Sequence, residues 1–401
     1  MAGGGHRLVI RGLSGLTGLH PILGLMTMAA PTAGFLSLGQ PHARAAALRA
    51  AQAGRMQRTL LVHGPAGAGK GAFTDDLLAL LFCQAADFST RPCNACRGCR
   101  DARVRAHPDL VMGGPERWRE ERATGESIVA AARRWLLASA GAPIAADQRV
   151  VLIEGADRAN EQTQNALLKA LEEPSPRQMF VLVADEPGRL LPTIRSRAQP
   201  LRIGPVPKAQ LGSWLVEHER QSPAEAALVA RLAGGLTGRA IGYARANDLL
   251  TWRERTQREL LGVMHAGRAE RFDSVRHLLD EAAKLGAPPA DEAEPVADEE
   301  APRVAGAAQR AAALVVLGAW RDLARDLLMA SVGRPELMAA AVPSDELRQA
   351  AQGIERQALT AFLSLAGRIA DGLRENAAPR LALEVAMLAW PASPSSRPIA
   401  A

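Results

Sequence analysis

An α/β domain whose parallel sheet is covered by helices on both faces, followed by a small helical domain and a C-terminal all-α domain, is the architecture this sequence predicts. Three observations carry it. Short apolar runs alternate with helix-length amphipathic segments up to residue 205, an order that requires crossover connections and therefore parallel strands. A glycine-rich loop, Gly64-Pro-Ala-Gly-Ala-Gly-Lys70, joins the first apolar run to a helix. After Gly204-Pro205 the strand pattern stops and helical periodicity continues nearly to the end.

The elements follow in order. From Gln40, residues Ala45, Leu48 and Ala51 recur at helical spacing as far as Gly54-Arg55. Residues 59–62 read as a buried strand entering the glycine loop, and 72–82 as the helix leaving it. Residues 127–140 read as a helix and 149–154 as a second buried strand. Residues 162–173 form an amphipathic helix stopped by Pro174, and 179–183 form a third strand. The stretch 207–248 is a short helical unit punctuated by Gly234-Gly235 and Gly238. Helical pattern resumes at Leu249 and is broken by a Pro/Asp/Glu segment, 286–303, expected to be a solvated loop. The expected domains are a poorly ordered or over-extended leader (1–38, with Met26 and Met28 as alternative starts), an α/β domain (39–205), a helical domain (206–248), a helical C-terminal domain (249–390) and a disordered tail (391–401).

Composition narrows the function classes. With 48% apolar residues the chain is a folded protein and not a disordered one. Within residues 1–38, interrupted by Gly12, Gly15, Gly18, Pro21 and Gly24, no uninterrupted apolar run approaches the ~18 residues of a membrane span. Net charge is +6, a mild excess that permits a polyanionic partner. The excess is uneven: no Asp or Glu precedes Asp75, whereas 291–300 is a dense acidic run. Lysine occurs only at 70, 169, 208 and 284, which draws notice to Lys70 and Lys169.

The glycine loop has the form of a phosphate cradle, in which loop amides and the following helix N-terminus face an anion. The next residue, Gly71, breaks the pattern. A working loop has Ser or Thr there, whose hydroxyl ligates the magnesium bridging the β- and γ-phosphates. The second half of such a site is an acidic pair ending a neighbouring strand. Here that strand ends in Glu154-Gly155-Ala156-Asp157, with one carboxylate in place and glycine where the water-activating acid belongs. The strand at 179–183 runs into Ala184, which supplies no polar γ-phosphate sensor. Three losses on one site argue against hydrolysis by the chain alone. Gly64, Gly67, Gly69 and Lys70 read as a vestigial nucleotide cradle that leaves room for ATP binding without turnover.

All four cysteines lie at 83, 93, 96 and 99. This cluster in an otherwise cysteine-free chain argues for a metal in a reducing compartment rather than a disulfide scaffold. Four thiolates suit a closed, structural zinc. The adjacent Arg97, Arg100, Arg103 and Arg105 are either solvated surface or a nucleic-acid-binding face. Further along, Thr193-Ile-Arg-Ser-Arg197 places two arginines after the third strand.

Together these residues resemble the clamp-loader branch of the AAA+ proteins, as found in bacterial DNA polymerase III. The resemblance runs from about Gln40 to about residue 245. It rests on the degenerate loop, the cysteine block, His107-Pro-Asp109, Asn165-Ala-Leu-Leu-Lys-Ala-Leu-Glu-Glu-Pro174, Glu186-Pro187, Leu190-Leu-Pro-Thr-Ile-Arg-Ser-Arg197 and Gly238-Arg239-Ala240. It implies an AAA+ P-loop domain with a zinc module, a helical lid and an oligomerisation collar. It further implies a cytoplasmic, non-hydrolysing subunit, with no autonomous ATPase or polymerase activity, of the polymerase III holoenzyme (a DNA-directed DNA polymerase, EC 2.7.7.7, a nucleotidyltransferase). Its partners would be gamma/tau and delta subunits, with the sliding clamp and primer-template DNA reached through the assembled ring. The family's arginine finger, which enters a neighbouring subunit's ATP site, maps to Arg197 of Ser196-Arg197. One departure is Ala198, where the family usually has cysteine. Two other readings stand beside this one: an autonomous ATPase like the gamma/tau motor, and a free-standing zinc-dependent nucleic-acid binder.

Overall fold

The computed structural model describes residues 34–245, 247–285, 301–334, 337–338, 342–374 and 377–391. Of the expected leader (1–38), solvated loop (286–303) and tail (391–401), residues 1–33, 286–300 and 392–401 lie outside the described residues, and 301–303, expected in the loop, are helical. The chain divides into two compact units at Gly242/Tyr243.

In the N-terminal unit, α1 (Pro41–Gln52) leads to β1 (Thr59–His63), the glycine loop and α2 (Lys70–Leu81). Then come α3 (Arg97–Arg103), β2 (Leu110–Gly113), α4 (Pro115–Glu120), α5 (Ile128–Ser139), β3 (Arg149–Ile153), α6 (Glu161–Glu172), β4 (Gln178–Ala184), α7 (Pro192–Arg197) and β5 (Gln199–Arg202). Helices α8 (Lys208–His218), α9 (Pro223–Leu232) and the start of α10 (Thr237–Arg245) complete the unit. All strand pairs are parallel, in the order β2-β3-β4-β1-β5, with Leu61 opposite Leu182 and Val151 opposite Phe180.

The central strands are apolar throughout because both their faces are covered. Leu60, Val62, Val150, Leu152 and Val181 point to one side, where they meet Ala47, Phe73, Leu77 and Ala102 of α1–α3. The intervening Leu61, Val151, Ile153, Phe180 and Leu182 point to the other, against Ala132, Leu167 and Ile194 of α5–α7. Each fully buried side chain of this size contributes about 1.5–3 kcal/mol. The sheet is larger than the sequence reading foresaw: β2 and β5 are additional. Both are four-residue edge strands, one only half-buried and the other carrying Pro200. Their apolar signal is weak because only the inner strands are enclosed, and proline is tolerated at an edge. Residues 34–38, read as part of the leader, pack on α2: the Leu36 and Ser37 amides donate to Asp76 at 2.8 and 2.7 Å.

The C-terminal unit is helical: α11 (Asn247–Gly262), α12 (Arg268–Leu285), α13 (Ala301–Ser331), α14 (Ser344–Ala351), α15 (Arg356–Arg374) and α16 (Pro379–Leu388). Its core gathers Leu260, Leu278, Trp320, Leu323, Phe362 and Trp390. The Trp390 indole donates to Leu260 O at 3.0 Å, and the buried Arg271 donates to the Trp390 and Met387 carbonyls at 3.1 and 3.3 Å, tying the end of α16 to α12. Among the described residues no helix is long and apolar enough to cross a membrane.

Candidate functional site

The glycine loop lies between β1 and α2, as its sequence requires. Gly64 sits so close to Ile203 O that an added Cβ would lie 1.8 Å away, so no side chain fits. Gly67 and Gly69 have φ of 80° and 93°, which favour glycine, and the Gly238 amide at the start of α10 donates to Gly67 O at 2.8 Å. The loop is turned in on itself. Lys70 is buried, and its Nζ donates to the loop's own Gly64 O at 2.7 Å and Pro65 O at 2.9 Å. Asp185, just beyond β4, closes an ion pair with it at 2.5 Å. Burial opposes ionisation of Asp185, but Lys70 and then Arg158 outweigh it and hold the carboxyl below its usual range.

The acids at the end of β3 are engaged too. Asp157 is buried, and its Oδ2 accepts the Asp185 and Glu186 amides at 3.1 and 2.8 Å, pinning the turn after β4. Gly155 has φ 60°, a conformation that favours glycine over glutamate in its place. Glu154 accepts from Arg105 Nη1 at 2.8 Å, and Arg105 Nε donates to Asp75 at 2.7 Å. Ala184 ends β4 buried, opposite His63. Lys169, noted for its rarity, is exposed on α6.

The cysteine module forms where spacing placed it. The four Sγ atoms of Cys83, Cys93, Cys96 and Cys99 all lie within 4.8 Å of one another. A tetrahedral zinc with Zn–S near 2.3 Å needs sulfurs about 3.8 Å apart, so the set fits with small adjustment. Backbone amides already face the sulfurs: Cys93 N to Cys83 Sγ, Gln84 N to Cys96 Sγ, Cys96 N to Cys93 Sγ and Cys99 N to Cys96 Sγ, each 3.4 Å. Such N–H···S bonds stabilise thiolates and orient metal ligands. Burial raises the Cys83 and Cys99 thiols, whereas at Cys93 the Cys96 and Ala95 amides overcome burial and bring the thiol down to about 6. Zinc held by these four residues would supply structural cross-linking only, because no ligand position stays open.

The module's arginines divide. Arg97 is exposed and Arg100 lies on the surface. Arg103 turns inward to Asp76 (2.7 Å) and Asn94, and Arg105 to Asp75 and Glu154, so neither belongs to a nucleic-acid face or a solvated surface as the sequence reading had them. Burial works against the Arg105 charge, but Asp75 and Glu154 hold it more firmly protonated than usual. Asp185, Asp75 and Arg158 were not foreseen as parts of the site; the two acids had a signal each, the acid directly following Ala184 and the pair Asp75-Asp76 in α2, and Arg158 had none.

Ser196 and Arg197 stand exposed at the end of α7, away from buried contacts. Arg197 Nη2 pairs with Glu172 at 2.7 Å and its Nη1 donates to Thr193 O at 2.9 Å; Ser196 Oγ donates to the same carbonyl at 3.0 Å.

A family profile described as "DNA polymerase III, delta subunit" matches residues 39–207. The DNA polymerase III subunit delta' of Pseudomonas aeruginosa is 35% identical over 167 residues, covering 41% of this chain and 49% of that protein. Subunit delta' of Escherichia coli K12 is 31% identical over 197 residues, covering 49% and 57%. A Mycobacterium tuberculosis gamma/tau subunit is 31% identical over 170 residues, covering 42% of this chain and 28% of that protein. A solved gamma-subunit-related protein of Thermotoga maritima aligns over 85% of this chain and 97% of that chain at 16% identity and TM-score 0.37. The chain spans about half the length of the first curated relatives it matches. Over residues 39–207, with their parallel five-stranded sheet and degenerate phosphate loop, the chain matches the DNA polymerase III delta-prime family.

Proposed function

We propose that this chain is the non-hydrolysing delta-prime subunit of a bacterial clamp loader, and that it supplies Arg197 in trans to the ATP site of a neighbouring gamma/tau subunit. The observation that carries the reading is a contrast between two cations. Lys70 is buried in its own loop and neutralised by Asp185, while Arg197 is exposed at a helix end and held by a surface carboxylate and a carbonyl. A guanidinium is always charged and matches phosphate oxygens in a two-pronged geometry. Glu172 pairs with it at the surface, and a γ-phosphate, carrying more negative charge, would displace that carboxylate. An arginine supplied in trans contributes on the order of 10³–10⁵ in rate by neutralising developing phosphoryl charge.

In this reading 206–248 is the lid, 249–390 is the collar through which the chain joins gamma/tau and delta subunits, and the module at 83–99 holds one structural zinc. The sliding clamp and primer-template DNA are reached through the assembled ring, in the cytoplasm, as part of the polymerase III holoenzyme. Arg197→Ala should lower the primed-DNA-stimulated ATPase of the reconstituted ring by at least tenfold, with the isolated chain inactive throughout. Unchanged ring turnover would remove the trans-arginine role. Hydrolysis by the pure chain, abolished by Lys70→Ala, would instead favour an autonomous motor.

A further inference from the structure

The phosphate-loop fold implies a magnesium site, and the residues that should form it do not fit one. Gly71 offers no oxygen, and the β3 carboxylate of Glu154 is already engaged by Arg105. A Cβ built on Gly71 would lie 3.8 Å from Arg105 Nη2, so the guanidinium stands beside the position of the missing hydroxyl. Arg105 thus stands between the two positions that ordinarily hold the metal, the residue after the loop lysine and the acid ending β3, and is also paired with Asp75 on α2.

The backbone gives a second, independent observation. Helix α3 ends in a paired carbonyl-capping turn, with Ala106 N donating to Asp101 O at 2.8 Å and Arg105 N to Ala102 O at 3.0 Å. The residue after the cap in this turn must be left-handed, a place that favours glycine. Here it is Arg105, at φ 55°. Its conformation is unfavourable for any residue with a side chain, and the side chain it carries is more than nine-tenths buried. Helix α3 is itself fixed by the cysteine module, since Cys96 caps its N-terminus and Cys99 lies in its first turn.

We propose that Arg105 is the resident cation of the degenerate nucleotide site, taking the electrostatic place of the divalent metal, and that the zinc module is the bracket that delivers it there. The site is thereby kept charge-balanced with no magnesium nucleotide. The proposal deepens the non-hydrolysing reading, on which it rests, and gives the cysteine module a purpose inside the α/β domain.

The variant Arg105→Gly separates this from a plain helix-capping role, because glycine is the residue the turn itself prefers. With the full chain, thermal unfolding would be followed first in buffer depleted of divalent metal over a chelating resin and then with added Mn2+, with Mn2+ binding read by electron paramagnetic resonance. Arg105→Gly should melt lower than the wild type without metal and recover on adding Mn2+. It should bind Mn2+ at least tenfold more tightly than the wild type, a gain that Glu154→Gln removes. Three results would overturn the proposal: Arg105→Gly at least as stable as the wild type, a destabilised Arg105→Gly indifferent to Mn2+, or wild-type chain that itself binds Mn2+ through Glu154. The ring ATPase loss expected of Arg197→Ala involves neither Arg105 nor Glu154, so the two readings fail separately.

Discussion

Replacing Asp109 tests how the His107-Pro-Asp109 turn holds the α/β unit together. Asp109 is fully buried at the start of β2, and its carboxylate accepts the Ile144, Ala145 and Ala146 amides at 2.5, 2.7 and 2.7 Å. Burial opposes its charge, but these three amides and then His107 hold the carboxyl below its usual range. Hydrogen bonds to a charged group contribute about 1.5–3 kcal/mol each, and removing the acceptor leaves donors in need of new partners. The three share one carboxylate and do not add fully, so Asp109→Ala should cost about 3–5 kcal/mol, at the upper end of single substitutions. For a unit of this size each kcal/mol moves the midpoint by roughly 2–4 °C, giving a drop of roughly 6–20 °C by calorimetry. Asp109→Asn retains one acceptor oxygen and should lose about half as much. A loss below ~1 kcal/mol for Asp109→Ala would mean that the 144–146 loop finds its partners elsewhere and is not held by this carboxylate.

Acid should expose the same carboxylates: because Asp109 and Asp185 are depressed in the folded chain, their stabilisation is complete above the ordinary aspartate value near ~3.9 and is lost as pH falls from there toward the folded values. Urea titrations from pH 6 to pH 2.5 would register this as a falling midpoint, and a flat profile would contradict it. Cys96→Ser should release the zinc, one per wild-type chain by metal analysis of reduced protein, and should raise amide exchange over 83–107; a metal-free wild type would refute the four-thiolate site. In the C-terminal unit, Trp390→Ala should destabilise by about 3–5 kcal/mol, since the side chain is buried against Phe362 at 4.9 Å and donates to Leu260 O; an unaffected melt would show that α16 is not part of that core.

The inner strands and their helices were legible because burial on both faces writes a continuous apolar run, as in Val150-Val-Leu-Ile153. The cysteine spacing was legible because four ligands within one short segment leave few geometries. The losses at Gly71, Gly155 and Ala184 could also be read, each being a residue lacking the atom its position calls for. What compensates those losses could not. Asp185 finds Lys70, and Arg105 finds Glu154, only once the sheet has brought distant segments side by side. Arg103 and Arg105 misled for a related reason: in sequence an arginine among arginines looks like surface, and only the acids on α2, Asp75 and Asp76, turn these two inward.

The two edge strands bear on how such a chain survives before it meets any partner. A bare sheet edge invites a second copy to add its own strand. At β5 that invitation is withdrawn by Pro200, which has no N–H to offer, and by the exposed charge of Arg202. At β2 the Met112 carbonyl is taken by the Trp135 indole at 3.1 Å, and the same ring lies so near Gly113 that a Cβ there would meet it at 2.3 Å. With both borders of the sheet obstructed, strand addition by a second copy is disfavoured at either edge.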